Sequence, residues 1–181
     1  EAFGRIDILV NNAAGNFICP AENLSPNGWT TVINIVLNGT FFCSRFAGDV
    51  MIRQKRGVIL NVGATYAWTG GPGTIHSACA KAGVHTMTQT LAVEWARHNI
   101  RVNAIVPGPV HTEGASQQLF PSAEVERFIV DKIPLKRRGS AAEIADLAAL
   151  LVSDYASFVT GSIVTADGGA WLNKGIYEFL K

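Results

Sequence analysis

The sequence lacks a strong charge of either sign. Its 15 Lys and Arg residues and 14 Asp and Glu residues leave a formal net charge of +1 over 181 residues. The longest basic run is Lys136-Arg137-Arg138. Binding to nucleic acid depends on a basic field, so we expect no nucleic-acid partner. No uninterrupted apolar run reaches the roughly 18 residues of a membrane span, so we expect no membrane association.

Cysteine and histidine are also scarce. Three widely spaced cysteines include no CxxC pair, which is typical of a reducing compartment, and we therefore expect a cytoplasmic protein. The four histidines show no HExxH or comparable ligand spacing. The sequence thus predicts no metal site.

No glycine-rich dinucleotide-binding turn, neither GxGxxG nor TGxxxGxG, occurs in the chain. Short apolar runs instead alternate with long helical patterns. They predict strands at 6–10, 58–62, 101–106 and 162–165, and helices at 26–54, 74–98, 123–132 and 141–153. This order is typical of an α/β fold with a doubly wound parallel sheet. Taken alone, the sheet fits a hydrolase, a flavodoxin-like protein or a reductase.

Residues 61–83 contain the clearest candidate site. The stretch begins as a buried strand and places Tyr66 just beyond the strand end. After a Gly/Pro loop, a helix carries Ser77 and Lys81 in its first turns. Open α/β sheets build their sites where strand ends face helix starts. We therefore expect Tyr66 and Lys81 to share one cleft, with the polar stretch at 110–122 as a binding loop or lid.

Four segments then narrow the fold class. In chain order they are NNAAG at 11–15, KAG at 81–83, RVNAIVPG at 101–108 and DGG at 167–169. Together they resemble the short-chain dehydrogenase/reductase family across essentially the whole chain. The resemblance implies that residues 1–181 are a single Rossmann-type reductase domain. It also implies that the first βα units are missing, because that family's TGxxxGxG motif precedes NNAG.

The usual catalytic residues of that family carry over poorly. Its tyrosine, four residues before the lysine, falls at Ser77, its serine falls at Ala64, and its asparagine falls at Val36. Only Lys81 is retained. A carbonyl-reducing mechanism with a tyrosine acid at position 77 is therefore excluded.

A narrower branch accounts for these changes. The segments that carry the likeness are NAAGNF at 12–17, VLNGT at 36–40, SACAKAG at 77–83, and Tyr66 placed fifteen residues before Lys81. They look like the NADPH-dependent 2,4-dienoyl-CoA reductases, bacterial ones above all. The resemblance implies hydride transfer from NADPH to a 2,4-dienoyl-CoA thioester in fatty acid β-oxidation. It implies that Tyr66 and Asn16 stabilise the dienolate oxygen, with Ser77 and Lys81 beside them.

The same resemblance implies an NADP(H) site, an acyl-CoA substrate and a homo-oligomer, expected to be a tetramer that pairs the two long helices. The residues expected at the cofactor, besides Lys81, are Asn12, Ala13, Ala14, Gly15, Pro107, Gly108 and Thr112. Two other interpretations stay open. The chain could act on another enoyl-CoA or carbonyl substrate, or it could be a non-catalytic homologue. The joint presence of Tyr66 and Asn16 argues against loss of catalysis, although Asn16 could only cap a turn.

Overall fold

The computed structural model describes residues 3–111 and 122–173. Its strands are β1 (Ile8–Asn11), β2 (Gly57–Val62), β3 (Ile100–Pro107), β4 (Val110–His111), β5 (Gly139–Ser140) and β6 (Ile163–Ala166). The main sheet is entirely parallel and has the order β1-β2-β3-β6, and β4 and β5 form a separate parallel pair. All carboxyl ends of the main sheet therefore lie at one edge. The predicted α/β fold class is confirmed.

The helices fall between the strands, as the sequence predicts. They are α1 (Pro26–Ile33), α2 (Gly39–Gln54), α3 (Tyr66–Thr69), α4 (Ile75–Trp95), α5 (Ala123–Lys132) and α6 (Ala141–Val152). Single 3-10 turns occupy Ala21–Asn23, Ala96–His98, Asp154–Ala156 and Ala170–Leu172. Gly63 ends the second strand, but the stretch after it is not wholly a loop. It contains the short helix α3, which begins at Tyr66 itself.

The predicted helix at 26–54 is one continuous helical segment. Ser25 caps it, since its hydroxyl accepts a hydrogen bond from the N–H of Gly28, and Pro26 occupies the first helical position. A π-helical turn, Asn34–Asn38, joins α1 to α2. The helix ends at Lys55, which has a left-handed φ of 55°.

Helices cover both faces of the sheet because successive strand residues point to opposite sides. Ile59 of β2 packs with Met51 of α2 and Leu91 of α4 on one face. Its neighbour Leu60 packs with Leu151 of α6 on the other face. Full burial of each aliphatic side chain stabilises the fold by about 1.5–3 kcal/mol. The helix α4 is therefore held directly over the strand ends that carry the candidate site.

Buried amides fix the relative positions of these layers. The amide of Asn11 in β1 donates to the hydroxyl of Ser44 at 2.9 Å and to the side-chain oxygen of Asn61 in β2 at 2.8 Å. Asn61 in turn donates to the hydroxyl of Thr88 in α4 at 2.9 Å. Buried polar groups need such partners. This chain of bonds connects two strand ends with α2 and α4.

By length and composition alone, the helix Pro26–Gln54 could cross a membrane, with a mean hydropathy of 1.2 in its most apolar window. Its buried side chains, however, pack on the sheet and on α4: Met51 lies against Ile59, and Val36 lies against Ala80 and Val84. A core helix passes the same length and composition test. The expectation of no membrane association stays a prediction.

Candidate active site at the carboxyl edge of the sheet

Tyr66 and Ser77 meet at the carboxyl edge of β2. Tyr66 is the first residue of α3, and Ser77 lies in the first turn of α4 and is 1% exposed. Their hydroxyl oxygens lie 3.0 Å apart and form a hydrogen bond. Gly70 and Gly73, both with positive φ, turn the chain back between the two helices. The predicted proximity of Tyr66 to the start of this helix is thus observed.

Lys81 lies one turn beyond Ser77 and on the same side of α4, since residues four apart share a helix face. It is 5% exposed, and its ammonium donates to the backbone oxygen of Val62 at 2.5 Å. Burial lowers the pKa of Lys81 to about 8, from the ordinary 10.5. Lys81 therefore lies at the same strand end as Tyr66, and its charge is poorly solvated.

Asn16 lies on the loop that follows β1. Its side chain is exposed, and its amide oxygen accepts a hydrogen bond from the N–H of Phe17 at 2.9 Å. The loop reaches the start of α4, because the N–H of Cys19 donates to the oxygen of Gly73 at 2.8 Å. Phe17 also stacks edge-on against His76, with ring centroids 4.5 Å apart. The structure thus brings the loop to the Tyr66 region, while the hydrogen bond of Asn16 stays within its own loop.

The other expected cofactor residues follow the ends of β1 and β3. Asn12, Ala13 and Ala14 are exposed just after β1, and Gly15 is partly covered. A small-residue loop of this kind lets a ligand approach the backbone closely. The structure places these residues at the same sheet edge as Lys81.

Pro107 ends β3, and Gly108 follows it. The N–H of Gly108 donates to the oxygen of Ala166 in β6 at 3.0 Å. A Cβ atom at position 108 would lie 2.4 Å from the Cβ and 2.6 Å from the Cα of Asp167, so only glycine fits there. Thr112 and most of the proposed 110–122 lid lie outside the described residues.

Two buried histidines of α4 were not predicted as site residues. His76 is 0% exposed and His85 is 5% exposed, and among the described residues neither ring has a hydrogen-bond partner. Their positions carried a signal, since His76 directly precedes Ser77 and His85 follows Lys81 by one turn. The described residues contain no group of three or more His, Cys, Asp or Glu side chains able to hold a metal ion.

A parallel sheet with helices on both faces and a candidate site at its carboxyl edge defines a Rossmann-type domain. The family model described as enoyl-(acyl carrier protein) reductase matches residues 1–170. The chain belongs to the short-chain dehydrogenase/reductase family. This family membership confirms the prediction made from the four ordered segments.

Curated relatives carry more specific names. The chain is 58% identical over 175 residues to the Probable 2,4-dienoyl-CoA reductase of Bacillus subtilis, covering 96% of this chain and 69% of the relative. It is 46% identical to the peroxisomal 2,4-dienoyl-CoA reductase of Pongo abelii, covering 99% of this chain and 63% of the relative. The chain therefore spans about two thirds of the length of these relatives.

Solved structures share the architecture. A short-chain dehydrogenase from Bacillus anthracis superposes with a TM-score of 0.85 at 55% identity, over 95% of this chain and 67% of that one. A putative 2-deoxy-D-gluconate 3-dehydrogenase from Agrobacterium tumefaciens, with bound NADP, superposes with a TM-score of 0.87 at 34% identity, over 92% and 67%. The fold is thus one that binds a nicotinamide cofactor.

Proposed function

We propose that this chain forms the catalytic part of an enzyme that reduces 2,4-dienoyl-CoA thioesters with NADPH. The observation that carries the proposal is the hydrogen-bonded pair of Tyr66 and Ser77 beside buried Lys81. A tyrosine hydroxyl is present at the strand end, although the position four residues before the lysine holds a serine. The names of the curated relatives support this substrate class.

The reaction needs a donor at the thioester oxygen. NADPH, when bound, supplies a hydride to the far end of the conjugated diene. Electron density then moves to the thioester oxygen, giving a dienolate, and one proton added to the carbon skeleton completes the reduction. Neutral donors aimed at such an oxygen are worth several kcal/mol in the transition state. We assign this role to the hydroxyl of Tyr66.

Ser77 orients the hydroxyl of Tyr66. Ser77 is almost fully buried, so its hydrogen bond holds the tyrosine hydroxyl in one direction. Tyr66 can thus donate to the dienolate and then supply the proton, directly or through water.

Asn16 is the second proposed donor. Its amide nitrogen is available because the observed hydrogen bond within the loop uses only its amide oxygen. The loop reaches the start of α4 through the Cys19–Gly73 hydrogen bond. We propose that rotation of the Asn16 side chain directs this amide nitrogen toward the substrate oxygen.

The residues at the sheet edge fit a nicotinamide cofactor. Exposed small residues follow β1, and the missing side chain at Gly108 lets the turn after β3 pack directly on Asp167 beside this edge. We propose that Lys81 donates to the nicotinamide ribose and that Pro107 and Gly108 flank the nicotinamide amide. We further propose NADPH rather than NADH, in line with the NADP-bound relative.

The test is a single substitution with a matched control. Tyr66→Phe removes only the hydroxyl, and loss of one such donor lowers kcat by about 100-fold or more. Tyr155→Phe is the control, because Tyr155 is 93% exposed. NADPH consumption with 2,4-hexadienoyl-CoA measures both variants in the complete protein. An unchanged rate in Tyr66→Phe would reject the proposed site.

One observation favours a second candidate, the reduction of simple enoyl thioesters. The matching family model is described as an enoyl-(acyl carrier protein) reductase. The same assay with 2-hexenoyl-CoA separates the two, since the dienoyl reductase should act on the conjugated diene and leave the monoene. Turnover of the monoene alone would favour the second candidate.

We also propose a homotetramer, which remains a prediction. Three aromatic side chains of α2, namely Phe41, Phe42 and Phe46, are 46%, 53% and 69% exposed. Exposed apolar clusters of this kind mark protein contacts. Light scattering of the complete protein at micromolar concentration should report four subunits, and a monomer would contradict the proposal.

The cytoplasmic location also stays a prediction, and some relatives are named as peroxisomal.

A further inference from the structure

His85 is a buried polar side chain that the proposed chemistry does not use. Its ring is 5% exposed, and neither ring nitrogen has a hydrogen-bond partner among the described residues. Nearly all buried polar side chains in proteins have such a partner, so an exception calls for an explanation. If the side chain only filled space here, leucine would do so without burying two unpaired polar atoms.

The ring is held tightly at the end of β2. A Cβ atom added to Gly63 would lie 2.2 Å from the Nε2 atom of His85, so the imidazole packs directly on this glycine. Trp68 of α3 covers the ring with centroids 4.9 Å apart, and Trp171 stacks on Trp68 at 4.8 Å. The position of the imidazole is thus determined by the strand end and by the helix that carries Tyr66.

Lys81 is a charged residue beside this ring. The two residues are four apart on α4 and therefore share a face. Lys81 bonds to the oxygen of Val62, the residue directly before Gly63. Burial and, secondarily, the charge of Lys81 lower the pKa of His85. The imidazole is therefore neutral at physiological pH.

Other elements around the ring contribute few charges. On α3 the titratable group is the phenol of Tyr66. Gly63, which directly follows β2, and Val106 of β3 carry no charge. Beyond Trp171, the carboxylate of Asp167 already accepts hydrogen bonds from the backbone N–H groups of residues 169 and 171. Within the described residues, the charge that most affects His85 is therefore that of Lys81.

We propose that His85 is a positioning residue for Lys81, and that protonation of its imidazole turns the site off in mild acid. The neutral ring fills the space between Gly63 and Trp68. It thereby holds α4 in the position from which Lys81 reaches the backbone oxygen of Val62. A protonated ring would place a second positive charge beside the ammonium. Lys81 would then be pushed from the position it needs at the cofactor and Tyr66. The kinetic part of this inference rests on the proposed reductase function.

The kinetic test uses His85→Gln, which keeps a polar side chain of similar reach but cannot gain a proton. We expect kcat/KM near pH 8 to be lower than in the wild type, because glutamine does not fill the space between Gly63 and Trp68. One pH unit below the midpoint of its acid limb, the wild type should retain about a tenth of its kcat/KM, while His85→Gln should retain most of it. His98→Gln, beyond the far end of α4, is the control and should keep the wild-type acid limb. An unchanged acid limb in His85→Gln would overturn the proposal.

A second measurement does not depend on turnover. NMR of the complete protein with isotope-labelled histidine follows the protonation of His85 directly. Its titration midpoint should lie below that of free histidine and rise by about half a pH unit or more in Lys81→Met. The resonance of His98 should not respond to that substitution. A His85 midpoint equal to that of free histidine, or one unmoved by Lys81→Met, would overturn the proposal even if the chain reduces a different substrate.

Discussion

Replacing Lys81 with methionine should change how the stability of the protein depends on pH. Lys81 is 5% exposed, and its pKa falls from 10.5 to about 8 because burial removes the ammonium from water. The unfolded chain then holds this proton more tightly than the folded chain. The stability contributed by Lys81 is therefore present above pH 10.5, and it is lost as the pH falls towards and through 8.

The magnitude follows from those two pKa values. Between pH 7 and about pH 9.5, the linkage relation gives the wild type a gain of about 2 kcal/mol from this one group. For a chain of this size, that free energy raises the unfolding temperature by about 4–8 °C. Methionine has a similar length and no charge, so Lys81→Met should lack this gain. Loss of the hydrogen bond to Val62 lowers its stability equally at both pH values and cancels in the comparison.

The assay is thermal unfolding of the wild type and Lys81→Met at both pH values in the complete protein. The informative quantity is the change in melting temperature between the two pH values in the wild type, minus the same change in the variant. Lys55→Met is the control, because it removes the same charge from an exposed lysine. An equal pH dependence in wild type and Lys81→Met would refute the reasoning about burial.

Two further substitutions test the packing behind the site. Gly63→Ala should lower the free energy of unfolding by about 2 kcal/mol, because the new Cβ would lie 2.2 Å from the ring of His85. Gly139→Ala is the control and should be tolerated, because the atom nearest to its new Cβ is 3.6 Å away. Asn61→Ala should cost about 2–4 kcal/mol in urea unfolding, since it leaves two buried partners without their bonds. Exposed Asn34→Ala should cost about 0.5 kcal/mol or less. Equal losses within either pair would contradict the packing argument.

Much of the fold could be predicted because its signals are local. The four main strands appear as short apolar runs, and their predicted ends differ from the observed ones by two residues or fewer. The helix at 26–54 follows from the Ser25 cap, Pro26 and helical spacing. The short helix α3 was missed, because four residues are too few for a periodic pattern.

The candidate site was predicted in part. Spacing and resemblance brought Tyr66, Ser77 and Lys81 together, and the structure places all three at the carboxyl edge of the sheet. The predicted role of Asn16 stays untested, since its observed hydrogen bond lies within its own loop. His85 was passed over, because a single histidine on a helix has no distinctive pattern in sequence.

The sequence by itself determined the alternation of strands and helices, the family, and the presence of a tyrosine fifteen residues before a lysine. These features depend on residue type and spacing along the chain. Only the tertiary structure decided that Ser77 bonds to Tyr66, that Lys81 is almost fully buried, and that His85 packs on Gly63. The reason is physical: burial and partner choice depend on which atoms of distant segments meet, and the layers of the fold set those distances.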